Sequence, residues 1–145
     1  MATAATRRTG DAKSPAQTVA MAFGAVYLLV GIAGFFVADG FTGGTEDDKL
    51  ILFPVNHLHN IVHLAIGAAL LGASRMHASA KGVNTVVGAT YLLVALLGLL
   101  GLEFMSDLLN INSSGSADNF LHLASGAVLL YFGTAGAEQR ARTTV

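Results

Sequence analysis

Apolar residues run through this chain in four long stretches, with the charged residues confined between them. No Asp, Glu, Lys or Arg occurs in 14–38, 50–74, 82–102 or 119–137. A helix needs about 20 mainly apolar residues to cross a bilayer. These windows therefore predict helices near 18–38, 55–74, 82–102 and 119–137. Gly40-Phe41-Thr42-Gly43-Gly44 and Asn112-Ser113-Ser114-Gly115-Ser116 have loop compositions. Asn112-Ser113-Ser114 also fits a glycosylation sequon, a motif that recurs by chance. The expected organisation is a flexible cytoplasmic tail over 1–17, a four-helix membrane domain over 18–137 and a second cytoplasmic tail over 138–145. The fold class is all-α, a four-transmembrane-helix bundle.

The stretches resemble one another in pairs. Gly24-Ala25-Val26-Tyr27-Leu28-Leu29-Val30 and Gly88-Ala89-Thr90-Tyr91-Leu92-Leu93-Val94 share G-A-x-Y-L-L-V. Asn60-Ile61-Val62-His63-Leu64-Ala65-Ile66-Gly67 and Asn119-Phe120-Leu121-His122-Leu123-Ala124-Ser125-Gly126 share N-x-x-H-L-A-x-G. Apolar helices match by composition alone, so the paired Tyr, Asn and His carry the argument. They predict two similar helical hairpins related by a pseudo-twofold axis along the membrane normal, as in parallel transporter repeats.

Composition agrees with the pattern. The chain has 145 residues, 53% hydrophobic and 12% charged, with mean hydropathy +0.61. A soluble domain carries about 25% charged residues. The net charge of −1 offers no basic field for nucleic acid. The absence of Cys removes disulfides, thiolate catalysis, Cys-ligated zinc and iron–sulfur clusters.

The signs of the charges divide between loops. Arg7, Arg8, Lys13, Arg75, Lys81, Arg140 and Arg142 fall on one side. Lys49 alone joins Asp39, Glu46, Asp47, Asp48, Glu103, Asp107 and Asp118 on the other. Cytoplasmic loops carry the excess of Lys and Arg. A multi-pass protein of the inner (plasma) membrane with both termini cytoplasmic follows, its acidic loops outside. Its partners are then the lipid bilayer and a membrane complex or further copies of the chain.

The candidate chemistry sits on the second and fourth helices. Asn56, His59, Asn60 and His63 share one face of the second helix at 100° per residue, and His57 points elsewhere. Asn119 and His122 occupy a matching face of the fourth. Tyr27 and Tyr91 bring hydroxyls that need partners when buried. Polar groups at such depth usually face the interior of the bundle. In the favoured reading they form an inter-helix hydrogen-bond network in a non-enzymatic accessory or structural subunit. In a second, His63 and His122, with His59, bind haem or a divalent metal as a redox component. In a third, they line a small transporter or proton pathway. Gly24, Gly31, Gly34, Gly88 and Gly98 are read as packing positions. Glu103, Asp107 and Asp118 are read as solvated interface residues, any one of which could instead accept a bond from His57, His59 or His122.

The segments Asn56-His57-Leu58-His59-Asn60-Ile61-Val62-His63-Leu64 and Asn119-Phe120-Leu121-His122-Leu123 carry a resemblance. The chain resembles, over about 17–136, a family of small four-helix bacterial membrane proteins, mainly actinobacterial, grouped as a domain of unknown function. The resemblance implies an integral membrane protein and brings no established activity.

Overall fold

The computed structural model describes residues 12–45, 47–111 and 114–135. Residues 1–11 of the expected first tail, the whole expected second tail and Asn112-Ser113 of the sequon lie outside the described residues. Within them the chain is all-helical, with five helices and one minimal hairpin. The order is α1 (Pro15–Gly34), β1 (Lys49–Leu50), β2 (Phe53–Pro54), α2 (His57–Ala73), α3 (His77–Leu99), α4 (Glu103–Leu109) and α5 (Ala117–Gly133). By length and composition α1 and α3 are long and apolar enough to cross a membrane, and α2 is a shorter apolar helix.

Helix ends depart from the expected bounds because caps, not charges, set them. Ser14 and Gln17 form a capping box and Pro15 takes the first turn, so α1 starts before residue 18. It ends at Gly34 rather than 38, where the chain enters turns. The start of α3 lies at His77, so Lys81 is inside a helix that charge counting began at 82. Part of the expected 103–118 loop is helical. Glu103–Leu109 is anchored by buried Met105 and stopped by Asn110, whose φ of 60° turns the chain out of the helix. β1 and β2 pair antiparallel across Ile51-Leu52, whose apolar side chains stand exposed.

The closest helix pairs are α1 with α2 and α3 with α5. Their contact is backbone on backbone. A Cβ at Gly24 would lie 2.9 Å from the Leu71 nitrogen and 3.0 Å from the Gly67 oxygen. A Cβ at Gly88 would collide with the Leu130 nitrogen and lie 2.9 Å from the Gly126 oxygen. Gly34 holds the Asn60 amide and Gly98 the Asn119 amide in the same manner. The contacts of α1 with α2 thus recur between α3 and α5, at positions 64 residues on in the first helix of each pair and 59 on in the second.

Polar ties close both ends. At one end Gln17 Nε2 donates to the Ser74 oxygen (3.1 Å), Asn84 Nδ2 to the Ala16 oxygen (2.9 Å), and His77 Nδ1 lies 2.8 Å from Ser14 Oγ. At the other, the Gly43 N–H donates to the Asp107 oxygen (2.7 Å) and Asn110 Nδ2 reaches the Val55 and Thr45 oxygens (3.2 and 3.3 Å). Thr45, through its backbone N–H and its hydroxyl, donates to the Asp48 carboxylate and holds it below the usual carboxylate range. The outer faces of the helices carry apolar side chains, including Leu29, Phe36, Val86 and Leu93.

Gly88→Ala therefore destabilises the fold by about 1–3 kcal/mol, the usual cost of overpacking. Gly72, in the same kind of helix with nothing within 4 Å of its Cβ position, is the control. Gly72→Ala is expected to be neutral or to raise stability by up to about 1 kcal/mol. Thermal unfolding of the detergent-purified variants checks both, and equal melting temperatures count against backbone contact at Gly88.

Candidate functional site

The glycine contacts fix a register, and the register assembles the site. With Gly24 against Gly67 in antiparallel helices, the next turn brings Tyr27 opposite His63, and the rings stack at 5.6 Å with planes 12° apart. With Gly88 against Gly126, the next turn brings Tyr91 against His122 at 4.8 Å, edge to face. Tyr27 and Tyr91 meet at 5.4 Å where α1 approaches α3. His59, one turn before His63 on α2, lies 4.6 Å from its ring and 5.9 Å from that of His122. His63 and His122 are 6.5 Å apart by ring centroid.

Three imidazoles from two helices thus converge in the interior. A ring nitrogen from each lies within 4.8 Å of the others, and all three residues are buried. Among the described residues neither His59 nitrogen completes a well-formed hydrogen bond, although the ring lies near the Pro54 and Leu109 main chain, and His63 Nδ1 has no partner. His122 is different. Its Nδ1 lies 2.8 Å from the Asp118 carbonyl oxygen. A carbonyl only accepts, so Nδ1 carries the proton and Nε2 keeps its lone pair. A histidine oriented in this way by its second nitrogen is the arrangement found where imidazole binds a metal.

The eight candidate residues do not form one network. His59, His63, His122, Tyr27 and Tyr91 touch through their rings. The Tyr27 hydroxyl lies near Ser125 and Tyr91, but neither tyrosine hydroxyl completes a well-formed hydrogen bond. Asn60 sits against Gly34 with its amide nitrogen and oxygen unpartnered, and Asn119 Nδ2 donates to the Ser114 oxygen. Asn56 is a clamp rather than a ligand. Its oxygen caps α2 through the His59 N–H (2.8 Å), and its nitrogen donates to the Gly43 and Leu108 oxygens (2.9 and 2.8 Å). His57 stacks on Phe35 and stays apart.

Sequence reasoning missed Asn84 and Asn110 and gave Asp118 only as a possible partner of the histidines. Asp118 is 2% exposed, which corrects its reading as a solvated residue. It occupies the first turn of α5 and one carboxylate oxygen has no partner. It faces a cavity of about 100 Å³ shared with His63, Val30 and the β1–β2 hairpin. The 59-residue offset that pairs His63 with His122 pairs His59 with Asp118, and that spacing could have drawn attention to it. Asn84 and Asn110 are fully buried bridges. Asn84 was visible as a lone amide within an apolar window, whereas nothing local marks Asn110.

A larger pocket of about 280 Å³ opens between α1 and α5, lined by Ala22, Phe23, Val26, Val30 and Leu121, with Tyr27, His63 and Ser125 at its polar end. The gap between His63 and His122 holds no porphyrin-sized space, because His59 sits against both rings and the tyrosines cover them.

A family model described as Domain of unknown function (DUF4383) matches residues 17–135. The chain belongs to this family. The match takes in the three histidines, both tyrosines and all five helices but for the first two residues of α1. No curated protein and no solved structure matches the chain significantly.

Asn56→Ala removes a helix cap and two donors to buried carbonyls, so a loss of about 2 kcal/mol or more is expected. Asn56→Ser keeps a cap acceptor and loses the donors to the two carbonyls without adding charge, and should fall between. Thermal unfolding orders the three proteins. Coincident curves for Asn56→Ala and the parent rule out the clamp.

Proposed function

We propose that this is a four-span membrane protein that binds one divalent transition metal ion at His59, His63 and His122, near its outer face. The observation that carries the metal is the convergence of three buried imidazoles, two of them with nitrogens that complete no well-formed hydrogen bond and the third oriented by a backbone carbonyl. Unpaired buried polar nitrogens are costly, and a shared cation gives them a common partner. Zinc–nitrogen bonds of about 2.0–2.1 Å at tetrahedral angles need nitrogens roughly 3.3 Å apart. The ring nitrogens, now within 4.8 Å of one another, would have to draw closer to reach that spacing. An all-nitrogen donor set suits zinc, nickel, copper(II) or iron. Three neutral imidazoles leave the ion's charge uncompensated, and the buried Asp118 carboxyl, which lines a cavity with His63, would supply an opposite charge by losing its proton as the ion binds.

The bilayer placement rests on the apolar outer faces, the polar interior and the two helices of spanning length. α2 and α5 complete the four spans. The matched contacts of α1–α2 and α3–α5 support two hairpins about a pseudo-twofold axis along the membrane normal. Lys13, Arg75 and Lys81 gather at the end tied by Ser14, Gln17 and Ser74, which becomes the cytoplasmic end. Both termini are cytoplasmic in this placement. In such a setting the protein serves as a metal-binding component of a larger membrane assembly or of a homo-oligomer.

Elemental analysis of protein extracted in mild detergent is expected to find about one transition metal ion per chain, or to reach that after Co²⁺ titration with visible tetrahedral bands. Replacing His59, His63 or His122 with Ala abolishes high-affinity binding. Asp118→Asn weakens it by about 10- to 100-fold. A protein that takes up no metal under either condition sinks the metal centre.

The Cys-free chain makes orientation directly testable. Thr42→Cys and Ser114→Cys should react with an impermeant maleimide in intact cells, and Arg75→Cys only after lysis. Labelling of Arg75→Cys in intact cells reverses the proposed orientation.

A further inference from the structure

The pocket between α1 and α5 is built unlike the rest of the surface. It is walled by Ala22, Val26, Val30 and Leu121 and floored by Tyr27 and His63, both more than nine-tenths buried. Among the described residues the Tyr27 hydroxyl, near Ser125 and Tyr91, completes no well-formed hydrogen bond, and His63 Nδ1 has no partner. Ser125 spends its proton on the Leu121 oxygen of its own helix, so it offers only lone pairs. Val26 and Leu121 at the rim are themselves exposed, about half of each surface being uncovered. The mouth therefore lies on the apolar side of the helices rather than at their charged ends.

From this geometry we infer that the α1–α5 pocket binds a neutral, lipid-soluble ring carbonyl compound of the quinone type, entering sideways from the bilayer with its carbonyl on Tyr27. The inference rests on the bilayer placement above and not on the metal. Three features select the occupant. No Lys or Arg lines the pocket, so an anionic headgroup or fatty carboxylate has no counter-charge. Its volume of about 280 Å³ is at the low end for small-molecule sites, roughly 300–1,000 Å³. That suits one substituted ring whose tail stays in lipid, and not a whole lipid. Phe23 and Tyr27, edge to face at 5.8 Å, give aromatic surface for a flat ring. The Tyr27 O–H then donates to the ring carbonyl, and the otherwise unpartnered buried hydroxyl is satisfied.

The test is equilibrium binding of tritiated decyl-benzoquinone to the full chain in lipid nanodiscs, with empty nanodiscs subtracted. Saturable binding near one site per chain is expected. Ala22→Phe and Val26→Phe fill the pocket from the exposed side of α1, where folding tolerates bulk, and each lowers affinity at least about 10-fold. Tyr27→Phe lowers it about 3- to 10-fold, the worth of one hydrogen bond. Metal content of the same samples stays at the parent level in the Ala22 and Val26 variants. Binding no greater than empty nanodiscs, or unchanged in both filling variants, overturns the site. Carbonate-resistant membrane association of the same chain, measured alongside, reports separately on the bilayer placement.

Discussion

The absence of side chains at a handful of positions holds this structure together. Gly24 on Gly67 and Gly88 on Gly126 let two helix backbones touch, and a single methyl group at any of these points meets main-chain atoms. Main chain cannot swing aside as a side chain can, so each contact sets distance and register at once. Everything polar in the interior is placed by that register. One turn from each glycine pair the helices present Tyr27 to His63 and Tyr91 to His122. Further toward the loop end, Gly34 and Gly98 accept the amides of Asn60 and Asn119. The glycine stripe and the Asn/His motif are therefore one device. The stripe brings the backbones close, and the motif fills what the closeness encloses.

The interior that results mixes polar and apolar groups. Amides, imidazoles and a carboxyl lie inside with Leu70, Val87, Leu129 and small residues, and many branched apolar chains stand exposed. Toward the ends, Asn56, Asn84 and Asn110 donate to carbonyls of neighbouring segments, while the Asn84 and Asn110 amide oxygens stay without a well-formed partner. In the middle the same holds for ring nitrogens of His59 and His63 and for the Tyr27 and Tyr91 hydroxyls.

Much of this was legible in the sequence, and the limits have physical causes. The pairing of Tyr with His positions was readable because helical periodicity and duplicated spacing act together on the same residues. Helix ends were misread by three to five residues at α1 and α3, because uncharged windows measure polarity while caps such as Ser14-Pro15 and Gln17 set where a helix begins. The short α4 escaped because its burial depends on a single residue, Met105, and on a left-handed stop at Asn110. Asp118 was placed with the outer charges because a carboxylate beside a Ser/Gly loop is normally solvated. Its burial comes from the hairpin at 49–54 packing near it, a tertiary fact with no local signature. The residues read as a hydrogen-bond network do meet at the centre, where their contacts are mainly ring against ring, Tyr27 stacked on His63 and His59 tilted against it.

The asymmetry between the halves is the most informative feature of the centre. If the two hairpins were chemically identical, the axis would carry two histidines and two tyrosines and nothing more. The offset that maps His63 onto His122 maps His59 onto Asp118. One half therefore contributes an extra neutral donor and the other a buried carboxyl. For the metal site proposed above, a symmetric histidine pair would offer two ligands, the extra imidazole would make three, and the carboxyl on the opposite helix would offset charge without entering the donor set. The Asp118 carbonyl that orients His122 belongs to the residue that would supply that charge. Orientation and compensation are thus tied to one position on α5. A change at residue 118 that keeps the backbone alters only the charge, whereas one that unwinds the first turn of α5 also releases His122.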